Sequence, residues 1–300
     1  MKPKYFLYLV FLAAIWGLSF SFIKIATPEF GSFALAFMRI ILAALFLIIV
    51  SILMGQGRIL LKIILQKDKR WHWLISGLVG QLFPFILYAK AELTISASAA
   101  SILNATTPIW AAIVAFFWLK KKFSIIQITG IVISFVGVSI LVSSSSLHTN
   151  SDFAKSNLLG SAAILLATFF YGYGSNYLKK YLNDIAPLQV ATASTIYAAI
   201  AGLPLAIYFW PDTSISSEAW NATLLLGLLC TGFAFIIFFE LISKVDATSA
   251  VSVTFLIPVF GVFWGVSYLN ESLTTTMLVS MIVILVGVIM SNLPQKKSPQ

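Results

Sequence analysis

"SASAASILNATTPIWAAIVAFFWLKKK", Ser96 to Lys122, is long enough to cross a bilayer as one helix, yet it carries Pro108 at its middle. A proline inside a helix removes a backbone donor, clashes with the preceding turn and costs about 3 kcal/mol or more. The same defect returns in "ATSAVSVTFLIPVFGVFWGVSYLNES", residues 247 to 272, where Pro258 interrupts another apolar run 150 positions on. Two such defects in register point to a duplicated unit.

The composition says where such a unit lives. With 60% hydrophobic and 10% charged residues in 300, the chain departs from soluble globular proteins, in which about 25% of residues are charged. It has room for roughly ten spans of about 20 residues, the length that crosses a hydrocarbon core about 30 Å thick. The net charge of +9 is not read as nucleic-acid binding, because basic residues flanking apolar runs report membrane orientation. Cys230 is the single cysteine, which rules out an intramolecular disulfide and is read as a packed small residue. The amino-terminal run has the positive start of a signal peptide, but its apolar stretch is too long and further spans follow, so it is taken as a retained first span.

Apolar runs lie near 6–26, 33–54, 72–93, 95–119, 125–143, 157–178, 186–210, 221–243, 247–269 and 274–293. They predict an all-α polytopic membrane protein with ten transmembrane helices. With the N-terminus in the cytoplasm, inner segments hold Lys2, Lys4, Arg58, Lys62, Lys67, Lys69, Arg70, Lys120, Lys121, Lys122, Lys179, Lys180, Lys244, Lys296 and Lys297. Outer loops hold Lys155 alone among basic residues, beside Glu29, Asp152, Asp212, Glu218 and Glu271. The positive-inside rule therefore sets both termini in the cytoplasm. Arg58 to Arg70 reads as an orientation signal on a solvated loop.

Sliding the sequence by 150 pairs Gly77 with Gly227, Phe85 with Phe235, Ala97 with Ala247, Ala100 with Ala250, Pro108 with Pro258, Leu119 with Leu269 and Gly137 with Gly287. A slide of 155 pairs Trp16-Gly17 with Tyr171-Gly172 and Lys24 with Lys179. Two halves, 1–145 and 155–300, follow. Each has an odd number of spans, so the second is inverted, which is the architecture of secondary transporters that open a midplane site alternately to each side. The freed carbonyl near each proline then needs a partner in protein or cavity water, and the two prolines are gating candidates; the bland alternative is a packing kink. Small residues at four-residue spacing, such as Ala13, Gly17 and Ser21, suit close packing within the chain or in a homodimer.

The stretches "AAIWGLSFSFIKIATPEFGSFALAFMRIILAALFL" and "SASAASILNATTPIWAAIVAFFWL" with "ITGIVISFVGVSILV", and the second-half "SAVSVTFLIPVFGVFWGVSYLNESLTTTMLVSMIVILVGVIM", resemble the drug/metabolite transporter superfamily, EamA-like branch. The resemblance spans both halves and rests on the ordered set rather than on one motif. It implies an exporter-like carrier of small metabolites, often amino acids or other amphiphiles, with a central cavity and a proton-linked or facilitative mode. It also implies an integral multi-pass protein of the bacterial inner membrane. One departure stands out: the family's acidic residue after span four is replaced by Lys120, Lys121 and Lys122, while Glu271 keeps it after span nine.

Polar groups inside spans are expensive and so are site candidates. Gln81, Asn104, Asn176, Thr231 and Thr254 qualify, with Trp16, Tyr88, Tyr171, Tyr173, Phe235 and Trp264 as candidate walls of a small-molecule pocket. Arg39 lies inside span two and is expected to line the outer vestibule or to meet a backbone carbonyl or a substrate carboxylate. Lys24 is expected to snorkel to the interface. Every Asp and Glu falls in a loop or at a helix end except Glu240, so the cycle is expected to be facilitative exchange or proton coupling through Glu240, unless that residue merely pairs with Lys244. No phosphate-binding glycine loop, catalytic constellation or metal-ligand spacing around His72 and His148 is present in the sequence. No cofactor, metal or enzymatic role is expected; the expected partners are a small-molecule substrate and the lipid bilayer. A channel or a lipid-translocating protein is the nearest alternative, and an intramembrane enzyme a more distant one.

Overall fold

The computed structural model describes residues 3–120, 123–146, 151–244 and 253–293. Lys2, Lys121, Lys122, His148, Ala247, Ala250, Lys296 and Lys297, named above, lie outside them, as does the side chain of Lys244. Among the described residues all regular structure is helical. Hydrocarbon offers the backbone no hydrogen bonds, and a helix satisfies its own.

The first element, α1 (Pro3–Leu53), is two helices meeting at Gly31, whose φ of 70° and ψ of 165° leave the helical region. A straight helix of its 51 residues would run about 75 Å, far more than a bilayer core, and glycine permits the break without a Cβ penalty. Next come α2 (Gly57–Ile64), α3 (Arg70–Gly77), a π-helical turn at Leu78–Leu82, α4 (Phe83–Glu92), α5 (Ala97–Asn104) and α6 (Thr107–Leu119). Then follow α7 (Ile125–Ser146), α8 (Ser151–Tyr181), α9 (Pro187–Tyr208), α10 (Ser217–Gly227), a second π-helical turn at Leu228–Phe233, α11 (Ala234–Lys244), α12 (Val253–Leu269) and α13 (Thr275–Ser291). Seven described helical runs are long and apolar enough to cross a membrane, with Pro3–Leu53 counted once, and α12 and α13 are shorter apolar helices. The chain is thus a polytopic membrane protein. The segment taken for a solvated loop contains α2, which buries Leu60.

Pro108 does not sit inside a helix, contrary to the expectation. It stands at the start of α6, after a break at Ala105 and Thr106, where its missing N–H is no loss. Hydroxyls reach back to the end of α5: Leu103 O accepts from both Thr106 N at 3.1 Å and Thr106 Oγ1 at 2.8 Å, and Asn104 O accepts from Thr107 Oγ1 at 2.8 Å. Pro258, by contrast, lies within the continuous helix α12.

Several local features recur about 150 residues apart. The π-helical turns begin at Leu78 and Leu228, and the left-handed residues that end α6 and α12 are Lys120 and Asn270. A Cβ placed on Gly17 would lie 2.7 Å from Phe260 Cβ and 2.8 Å from Gly261 N; one on Gly172 would lie 2.8 Å from Trp110 Cβ and 2.5 Å from Ala111 N. Thus α1 meets α12 as α8 meets α6. Gly77 likewise faces the Ser194 carbonyl, and Gly227 the Arg39 carbonyl. Around these contacts one apolar core joins α1, α4, α5, α8, α10 and α12, while Phe6, Leu45, Ile49, Ile200 and Ile282 point outward, as lipid contact requires.

The close approach at Gly17 should tolerate no side chain. Gly17→Ala is expected to cost about 1–3 kcal/mol by overpacking, whereas Gly80→Ala, whose Cβ meets nothing within 4 Å, should leave the melting temperature in detergent level or slightly raised. Equal melting of the two variants would contradict the packing described.

Candidate functional site

Gln81, Phe85, Tyr88 and Glu92 follow one another at steps of four, three and four residues, from the first π-helical turn through α4. That spacing puts them on one helix face, and all four are buried. The face looks toward α1 and α8. From the second helix of α1, the Arg39 guanidinium lies 3.7 Å from the centre of the Phe85 ring. Its Nε donates to Thr231 Oγ1 at 2.8 Å, and Thr231 in turn donates to Leu226 O across the second π-helical turn. A cation within a span costs about 2.5–3.5 kcal/mol on insertion scales, and the hydrogen bond and the ring face offset part of that. The expected carbonyl partner of Arg39 is thus replaced by a hydroxyl and a ring.

Tyr88 Oη donates to Asn104 Oδ1 at 2.6 Å. Its ring stacks on Tyr171 at 6.0 Å and meets Phe20 edge-on at 5.7 Å. Gln81 Nε2 donates to Thr195 Oγ1 at 2.9 Å, while its Oε1 has no partner among the described residues. Five of the predicted residues, Arg39, Tyr88, Asn104, Tyr171 and Thr231, therefore gather between α1, α4, α5, α8 and the second π-helical turn, while Gln81, on the same face as Tyr88, is bonded to α9.

The others serve elsewhere. Trp16 packs on Phe238 at 5.3 Å, and Trp264 Nε1 donates to Ala14 O at 3.1 Å, tying α12 to α1. The Asn176 amide donates to Ala111 O and Gly172 O, each at 2.9 Å, so its donors bind α8 to α6 and to itself. Phe235 is half-buried on α11. Glu240 forms an ion pair with Lys4 at 3.7 Å, the two side chains being 39% and 61% exposed.

Sequence reasoning passed over two members. Lys24 does not snorkel: its Nζ donates to Glu92 O at 2.5 Å and to Ile95 O at 2.8 Å, a cation where the helix dipole leaves negative charge. Glu92 was counted as a helix-end residue, yet it is 1% exposed; the signal that finds it is the stripe it completes with Gln81, Phe85 and Tyr88. Two further acids meet the starts of helices. Glu271 accepts from Ala97 N and Ser98 N at 2.7 and 2.9 Å, and Glu29 accepts from Ser216 N at 2.6 Å and Ser216 Oγ at 2.7 Å. Among the described residues no group of three or more His, Cys, Asp or Glu could hold a metal ion. A groove of about 270 Å³ lined by Phe22, Ile25, Asn221, Leu225 and Tyr268 lies apart from the cluster.

The EamA-like transporter family matches residues 3–143 and again residues 158–293. The chain belongs to that family. An uncharacterized transporter of Archaeoglobus fulgidus is 28% identical over 284 residues, covering 90% of this chain and 91% of that one. The uncharacterized transporter YoaV of Bacillus subtilis is 21% identical, covering 96% of each. One solved crystal structure shares the fold with a TM-score of 0.68 at 16% identity, covering 97% of this chain and 98% of the other. This EamA-like protein is accordingly an integral, multi-pass membrane transporter, and the buried polar cluster is the part of it that hydrocarbon packing alone does not explain.

In the EamA-like transporter the Tyr88–Asn104 hydrogen bond can be isolated. Tyr88→Phe leaves Asn104 Oδ1 unmet and should cost about 1–3 kcal/mol, much of which Asn104→Leu added to it should return, because removing both partners is nearly neutral. Thermal unfolding of the two variants checks it.

Proposed function

We propose that this chain is a secondary transporter, an exporter or exchanger of small metabolites such as amino acids, built from ten transmembrane helices in two inverted five-helix repeats, residues 1–145 and 155–300. Both termini face the cytoplasm, and the membrane is the bacterial inner membrane. The observation that carries the reading is the paired approach of Gly17 to Phe260–Gly261 and of Gly172 to Trp110–Ala111: one interface, made twice, with the halves exchanging roles. Two copies of a unit that pack on each other reciprocally can swap conformations, and a site between them is then exposed to each side in turn.

The cluster supports that site, because Arg39, Tyr88 and Asn104 come from the first half and Tyr171 and Thr231 from the second, with Gln81 on the same helix face as Tyr88. In this reading Arg39 receives an anionic group of the solute, and Tyr88 and Tyr171 form its wall. Pro108 and Pro258 mark the places where the gating helices bend. Glu240 adds little to the proposal, since its pair with Lys4 at 3.7 Å is largely solvated and such surface pairs contribute little.

Side-specific labelling tests the architecture. In intact vesicles, with Cys230→Ala as background, Lys120→Cys and Ser272→Cys should react with an impermeant maleimide from opposite faces; reaction from the same face would end the inverted-repeat proposal. In proteoliposomes loaded with a panel of labelled amino acids, flux should saturate and be accelerated by solute on the far side. Flux that rises linearly without such acceleration would mean a channel.

A further inference from the structure

Glu92 has no role in the reading above. Among the described residues neither of its carboxyl oxygens has a hydrogen-bond partner, and neither ion pair formed there includes it. An ionised carboxylate taken from water into such a place carries an effective penalty of several kcal/mol, and proteins ordinarily avoid that by pairing or neutralising the group.

The charged and titratable neighbours are all engaged in other ways. On α1, Lys24 directs its ammonium to the Glu92 and Ile95 carbonyl oxygens, and Arg39 turns to Thr231 and Phe85. Tyr88, one turn back on the same helix, donates to Asn104, while Tyr171 on α8 stacks on Tyr88. Lys90 points outward. Lys24 and Arg39 act electrostatically on Glu92 in one sense and Glu271 in the other; Glu271 is held on the Ala97 and Ser98 amides.

We propose that Glu92 is the proton-binding group of the transport cycle: it keeps its proton while sealed, as in this structure, and yields it to water when the surrounding helix ends separate. The proposal rests on the alternating-access reading. On opening, the carboxyl O–H bond breaks and the proton passes to a water molecule. The carboxylate left behind has the Lys24 ammonium, already seated on its own backbone carbonyl, as counter-ion. On closing, a proton from water restores the O–H bond. One proton thus accompanies each opening, and the Glu271 cap on α5 is among the contacts that opening must undo.

The test needs no solute. The full-length protein in lipid nanodiscs is followed by infrared difference spectroscopy as the pH is stepped. The wild type should show the carbonyl stretch of a protonated carboxylic acid that titrates away as pH rises; Glu92→Gln should lose that band and Glu240→Gln should keep it. A band that survives Glu92→Gln, or a wild type without one, overturns the proposal. If Glu92→Gln fails to fold, Glu92→Asp is measured instead, and a band unchanged in frequency overturns it equally. Labelling of Lys120→Cys and Ser272→Cys from one face would defeat the carrier reading with the band intact, whereas a missing band with opposite-face labelling defeats Glu92 alone.

Discussion

Backbone-to-backbone approach at Gly17 and at Gly172 is the constraint on which the rest of this structure hangs. In lipid there is no hydrophobic drive to bring helices together, so association depends on how closely the backbones can come. Where Gly17 lets α12 close on α1, Gly261 and Gly265 come against Ser101 and Ser98 of α5. The Glu271 carboxylate then reaches the first amides of α5. Where Gly172 lets α8 close on α6, Asn176 reaches the Ala111 carbonyl, and Tyr171, one residue away, is brought onto Tyr88. Both approaches therefore supply neighbours to the same buried cluster.

That cluster is costly in a bilayer, and the structure shows how most of the cost is met. Tyr88 and Asn104 satisfy each other, Arg39 has a hydroxyl and an aromatic face, and Lys24 rests on two carbonyl oxygens at the end of α4. What is left over is small and local: one oxygen of Gln81 and both of Glu92. Among the described residues a few single atoms are also unmet elsewhere, on Ser21, Ser98, Trp110 and Ser280, but Glu92 alone leaves a whole ionisable group without a partner.

Much of this was legible in the chain itself. Among the described residues the apolar runs fall on helices, with 6–26 and 33–54 joined in α1 and 95–119 split at Ala105 and Thr106, and the 155-residue slide that pairs Trp16-Gly17 with Tyr171-Gly172 picks out the two glycines that carry the packing. Five of the proposed pocket residues, Arg39, Tyr88, Asn104, Tyr171 and Thr231, do gather in one place. What escaped has physical reasons. Pro108 looks like a mid-helix defect until Thr106 and Thr107 turn their hydroxyls back to the carbonyls at the end of α5, a local rearrangement that apolar periodicity does not register. Lys24 and Glu92 sit near span ends, where hydropathy assigns charge to the interface; their burial depends on how α1, α4 and α5 come together. Glu240 also pairs with Lys4, from the opposite end of the chain, a contact that local spacing does not register; the side chain of Lys244, the other partner considered, lies outside the described residues.

The two prolines share a place in the sequence pattern but not a mechanical role. Span four is a column cut in two, its cut ends tied by threonine hydroxyls that reach back to α5. The helix holding Pro258 is an unbroken rod from Val253 to Leu269. Under the proposed gating, span four therefore bends at a joint already made at Ala105 and Thr106, whereas the helix around Pro258 has to open a turn of its own.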